Sequence, residues 1–150
     1  MNTIRIRTLA VAGIVGVFCA GFVTTPAESH HSFAMYDQTV ERTMTGKLVR
    51  FVIGANHSQF VFDLVDEDGN LTLDEDGKPV RWQVETGPAV SLARQGITVE
   101  SFPIDTIFTV TLNPLRNGNA AGAMRGGITM CGKTMPAGGC TAETGQEVGE

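Results

Sequence analysis

His30, His31 and His57 are the only three histidines in the chain, and they are its best-suited residues for holding a transition metal. Neutral imidazole is the commonest protein ligand for copper and zinc. Two of the three sit near the start of the chain, where their chemistry depends on how the leading residues are removed. If His30 becomes the first residue, its free amine, which ordinarily titrates at about 7.7–8, chelates a metal together with its own ring, and His57 supplies a third nitrogen. If Glu28 becomes first, Glu28-Ser29-His30 places a histidine third. That arrangement suits square-planar Cu(II) or Ni(II), through the amine, two deprotonated amides and the ring. The competing reading is that the paired histidines are simply solvated and that His57 bonds the backbone of the corner carrying it. Glu85 and Arg116 complete the candidate set as cofactor-binding residues. Glu85 is a carboxylate able to orient a histidine ring from behind, and Arg116 is a charged side chain on a turn-rich connection.

Other chemistries fit less well, and no catalytic residue is assigned. Ser32 and Ser58 each neighbour a histidine, but adjacency in sequence is not a triad, and neither has the glycine pattern of a nucleophile elbow. Glu85 and Asp63 could form a carboxylate pair, yet outward positions on strands account for both. No phosphate loop or dinucleotide fingerprint is present. The acidic stretch Asp66 to Pro79, DEDGNLTLDEDGKP, fails as a calcium loop: its sixth position is Leu71 where glycine is needed, and its twelfth is Gly77 where glutamate is needed. It reads instead as an eight-residue near-repeat of tight Asp-Gly turns, a short hairpin excursion.

Compartment bears on all of this. Arg5 and Arg7 precede an uncharged run from Thr8 to Pro26, whose most apolar part is Leu9 to Val23, and small and polar residues follow. That is the layout of a secretory signal over residues 1–29, cleaved before Glu28 or before His30. Gly13, Gly16 and Gly21 weaken the run as a membrane-spanning helix, so no stable membrane insertion is expected after cleavage. The destination is periplasmic or extracellular. Loss of Arg5, Arg7 and Glu28 leaves nine basic residues against fifteen acidic ones and moves the formal charge from −5 to −6. A domain so acidic is a poor nucleic-acid binder. Cys19 departs with the leader, and the remaining pair, Cys131 and Cys140, is most simply a disulfide in an oxidising compartment. A soft metal site of Cys131, Met130 and Met135 is the rival.

The elements that must position these residues follow from alternation. Thr43 to Ile53 reads as a first strand with Val49, Phe51 and Ile53 on one face and Gly46 as a bend or bulge. Phe60, Phe62 and Leu64 alternate with Gln59, Val61 and Asp63 in a second; Val80, Trp82 and Val84 mark a third. Pro88 and Gly96 bracket a short helix over residues 89–95, with a further turn from Thr98 to about Pro103. Phe108, Val110 and Leu112 are the inward residues of a fourth strand, and Ala123 to Met130 forms a fifth, loosened by Gly126 and Gly127. His57 lies at the corner between the first two strands. Phe51, Phe60, Phe62, Trp82, Val84, Phe108 and Val110 form the expected core. This order predicts a mainly β fold, a small five-stranded OB-like Greek-key barrel with one short helix between strands 3 and 4. It occupies residues 30–140, with a disordered tail over 141–150.

The segments His30-His31-Ser32-Phe33, Thr45-Gly46, Asn56-His57-Ser58, Trp82 with Glu85, and Asn113-Pro114-Leu115-Arg116-Asn117-Gly118 carry a resemblance. Over roughly residues 30–135 the chain resembles an uncharacterised family of short exported bacterial proteins. The strand corner in that family reads Asn-Pro-His, whereas the proline is missing here. The resemblance implies export and domain extent but no activity. Two readings stand. One is an exported binding or accessory protein holding copper, or zinc, through its histidines. The other is a structural or partner-binding barrel without a metal, whose partner would be another exported protein. A hydrolytic enzyme is a distant third.

Overall fold

The computed structural model describes residues 33–149. The expected signal segment, together with His30 and His31, lies outside the described residues. Six strands and one helix follow in order: β1 (Arg42–Val52), β2 (Gln59–Leu64), β3 (Arg81–Glu85), α1 (Ala89–Arg94), β4 (Ile107–Pro114), β5 (Ala121–Met130) and β6 (Gln146–Val148). β1 lies between β2 and β4, all antiparallel; β2 also pairs with β3, and β4 with β5. A short parallel pairing of Gln83–Glu85 with Ala121–Ala123 closes the ring of five strands. The result is the expected five-stranded OB-like barrel with a helix between its third and fourth strands.

Strand alternation fills the interior. Phe60, Phe62, Val84, Phe108, Val110 and Leu112 are fully buried in one cluster with Trp82, and Phe51 packs against it. Phe102 joins them, its ring 5.0 Å from Phe60 and 4.9 Å from Phe108, both edge to face. It arrives from the turn after α1, and with Leu92 and Ile97 it plugs one end of the barrel.

β1 departs from the expected phase. A bulge between Leu48 and Arg50 sets the unpaired Val49 aside, so Leu48 is fully buried and Phe51 still faces the core. Val49 is only half-buried because the bulge sets it aside, and Ile53, one residue past the end of β1, is 55% exposed at the corner. Gly46, expected to bend the strand, is instead regularly paired with Leu64 and Phe108. A Cβ there would collide with the Phe62 ring, so the glycine makes room for the core. Asp63 and Val61, read as an outward polar phase, are both buried. Arg81 covers Asp63 through two bonds, Nε to Oδ1 at 2.7 Å and Nη2 to Oδ2 at 3.0 Å.

The acidic excursion is two successive turns of one design. Asp66 accepts from the backbone N–H groups of Asp68 and Asn70, and Asp74 from those of Asp76 and Lys78. The carboxylates are thereby spent on their own turns, and the Asn70 N–H chiefly holds the Asp66 carboxyl below its ordinary pKa.

Cys131 and Cys140 form the expected disulfide. The tail beyond it is placed differently from expectation: Gln146–Val148 pairs antiparallel with Ile128–Met130 of β5. The cause lies in β5 itself. Its first half is flanked by β3 only as far as Ala123, so the edge of its second half is open, and the disulfide delivers the tail to that edge. Gly145 then packs so closely on Cys131 and Thr129 that no side chain would fit. The sheet thus extends past residue 140. Among the described residues no helix is long and apolar enough to cross a membrane.

Candidate functional site: a carboxylate shared by His57 and Tyr36

The corner between β1 and β2 is held from two sides. Ser58 is fully buried; its N–H donates to Gly87 O and its carbonyl accepts from Thr86 N–H. The Gly54 carbonyl accepts from Ala89 N–H at the start of α1, and Gly54 N–H donates to the Ser58 hydroxyl. A side chain on Gly54 would collide with the His57 carbonyl, so glycine is what lets the corner close. His57 therefore projects from a fixed backbone without the proline that the resemblance led one to expect.

Glu85, the last residue of β3, stands opposite Gln59 on one side and Ala123 on the other. Its Oε1 lies 3.1 Å from His57 Nδ1, and its Oε2 accepts a hydrogen bond of 3.1 Å from the Tyr36 hydroxyl. The His57 side chain is 47% exposed and that of Glu85 23%. A carboxylate beside Nδ1 favours the tautomer protonated there, with the lone pair on Nε2. The corner thus holds a half-exposed imidazole beside a carboxylate.

Tyr36 is nearly fully buried, at 4% exposure. Burial first, then the charge of Glu85, then the hydrogen bond to it, push the tyrosine pKa up to about 12. The hydroxyl consequently stays protonated at ordinary pH and is a permanent donor to Glu85. A bridge to Leu115 seats Tyr36, and the segment around it is laced to the end of β4: Asp37 N–H donates to Pro114 O, Arg116 N–H to Met35 O, and the buried Asn113 side chain to Val40 O.

Arg116 belongs to this lacing. Its Nη1 lies 3.7 Å from Asp37 Oδ1, and its backbone anchors Met35. Asp37 is held below its ordinary pKa chiefly by the Thr39 hydroxyl, then the Thr39 N–H, with Arg116 a smaller contribution. Of the residues singled out in the sequence, His57 and Glu85 are thus brought together, Arg116 is engaged with Asp37, and His30 and His31 are outside the described residues. Among the described residues no three His, Cys, Asp or Glu side chains gather closely enough to hold a metal. Tyr36 is the functional residue that sequence reasoning misses: its separation of 49 residues from Glu85 leaves no local signal for the bond between them.

Serine chemistry finds no footing at the corner. The Ser58 hydroxyl is buried and bonded within the corner to Gly54. The outward residues of β2 and β3 include no aromatic side chain, and the basic one among them, Arg81, is tied to Asp63.

No curated protein matches the chain. Among solved structures it is similar to the mitochondrial single-stranded DNA binding protein Rim1 of S. cerevisiae, at 7% identity and a TM-score of 0.43, covering 62% of this chain and 94% of that one. A family model matches residues 19–125, a span that takes in Tyr36, His57, Glu85 and Arg116 together with His30 and His31. By that match the chain belongs to a family of unknown function, DUF6152.

Proposed function

We propose that this is a small exported binding protein whose His57 end holds a transition-metal ion, Cu(II) in the first instance, with histidines at the start of the mature chain completing the site. The observation that supports the reading is the carboxylate of Glu85 set against His57 Nδ1 and fixed from behind by Tyr36. A histidine oriented by a carboxylate is the usual outer arrangement of a metal-ligating imidazole. His30 and His31 precede Tyr36 by six and five residues, a length of chain that spans at most about 20 Å. That length is enough for either ring to reach a ligand shared with His57. One ring on a rigid corner and a chelating terminus would together supply the three nitrogens that two separate weak sites lack.

The test is calorimetric titration of Cu(II) into the correctly processed protein, whose first residue is fixed by intact mass. His57→Ala and His30→Ala each weaken binding, Glu85→Gln weakens it by about tenfold or more, and Asp76→Ala on the acidic excursion leaves it unchanged. Unaltered affinity in His57→Ala assigns any binding to the terminus alone. Absence of copper and zinc binding at micromolar concentration favours the second reading, a partner-binding barrel without metal. That reading draws on Phe33 and Met35, which are half-exposed beside the lacing of Arg116 and leave apolar surface for another exported protein.

A further inference from the structure

On the outer face of β1, β4 and β5 lies a second cleft, of about 530 Å3, which shares no residue with the His57 site. Register makes its floor. Thr45 stands opposite Thr109, Thr109 opposite Thr129, and Thr129 opposite Glu147, forming one row across four strands. In the next row Thr43 stands opposite Thr111, and Thr111 opposite Arg125. The intervening residues Met44, Phe108, Val110, Ile128 and Met130 belong to the core, which fixes the threonines outward.

The hydrogen atoms of this floor can be followed one by one. The Thr109 hydroxyl donates to the Cys140 carbonyl at 2.7 Å. A hydroxyl has a single hydrogen, so in the 2.8 Å pair between Thr45 and Thr109 the donor is Thr45. The hydrogens of Thr45 and Thr109, two of the three hydroxyls in this row, are thereby spent, and Thr45 faces the cleft as an acceptor. The pair Thr43 and Thr111, also 2.8 Å apart, uses one hydrogen and keeps one free. Beside it the Arg125 guanidinium, 3.4 Å from Glu41 at one nitrogen, retains further donors.

A floor of fixed acceptors beside fixed donors matches a ligand whose groups both give and accept. Anions meet the acceptor oxygen of Thr45 and the Glu147 carboxylate, and are disfavoured. A purely apolar ligand would strip water from hydroxyls without replacing it. The volume lies within the range of small-ligand clefts, and the threonine methyls give the C–H faces of a ring something to rest on. We propose that this cleft binds a short neutral glycan, with Thr43, Thr45 and Thr111 and Arg125 as its polar contacts.

The proposal is tested by titrating chitotetraose and cellotetraose separately into the isotope-labelled full chain and following backbone amide resonances. Binding moves the resonances of Thr43, Thr45, Thr109, Thr111 and Arg125, and leaves the His57 corner still. The paired replacement Thr43→Val with Thr111→Val removes both hydroxyls of one mutual bond, so neither partner is left unsatisfied and the fold is kept, as the unshifted core resonances verify. It weakens binding by about tenfold, whereas Thr39→Val, outside the cleft, has no effect. Absence of shifts with either sugar at about 20 mM, where even a millimolar Kd would be visible, overturns the assignment, as do shifts that the paired replacement leaves unchanged.

Discussion

Tyr36 is the chain's only tyrosine, so the titration of its hydroxyl can be watched directly and without overlap. Its pKa in the folded protein is about 12 against an ordinary 10, with burial as the first cause and Glu85 behind the other two. A group whose folded pKa is raised binds its proton more tightly in the native state. The stability it confers is complete below pH 10 and is lost as pH rises from 10 to 12. Two units correspond to about 2.7 kcal/mol, and because Glu85 keeps some access to water, screening reduces this to about 1–2 kcal/mol. The assay is the ultraviolet absorbance of tyrosinate against pH, read beside urea unfolding at each pH. Native protein should ionise near pH 12 and lose stability over that window. In Glu85→Gln the midpoint should fall toward 10 without reaching it, since burial remains. Tyr36→Phe should be less stable at pH 7 by about 1–2 kcal/mol, the value of a bond to a charged acceptor that water partly replaces, and should lose the alkaline dependence. A native midpoint at the ordinary value, with the protein still folded, would refute the placement of Tyr36 against Glu85.

Three further outcomes are expected. Gly46→Ala should lower the urea midpoint by an amount equivalent to about 1–3 kcal/mol, because the added methyl meets the Phe62 ring and the Asp63 carbonyl inside a filled barrel; an unchanged midpoint would mean that the β1 to β2 contact is looser than described. Phe102→Ala should cost about 3–5 kcal/mol in the same measurement, and a cost below about 1 would remove Phe102 from the aromatic cluster. Replacing Cys131 and Cys140 by alanine should cost roughly 2–3 kcal/mol and speed hydrogen exchange at Gln146–Val148 while β1 and β2 remain protected; equal exchange in both proteins would show that β6 holds without its tether.

Strict alternation made most of the barrel legible. Phe60, Phe62, Trp82, Val84, Phe108 and Val110 each declare an inward phase, and a helix bracketed by Pro88 and Gly96 places the chain among OB-like topologies. The bulge at Val49 was not legible, since an extra residue in one strand is defined by the register of its neighbour and not by its own side chain. Phe102 was missed because it reaches the core from a turn, where no period marks it. The tail was misjudged from composition: few apolar residues suggest disorder, but the disulfide and the open edge of β5 supply the order that composition lacks. At the candidate site, His57 and Glu85 could be named from their types. Tyr36 could not be given its polar part, because only the closed barrel brings it beside Glu85.

Glu85 lies in the three-residue parallel seam where β3 meets β5, the contact that turns an open sheet into a ring. Opposite Glu85 across that seam is Ala123, and on its other side is Gln59 beside the corner. The zipper that completes the cylinder and the residue that aims the imidazole are therefore one and the same. Breathing of the cylinder begins most easily where pairing is shortest, and each such opening swings the carboxylate away from the ring. A ligand of the proposed His57 site would favour the closed ring wherever it draws on Glu85, and its occupancy would then be thermodynamically linked to closure. Slower amide exchange at Gln83 to Glu85 would be the readout of that link.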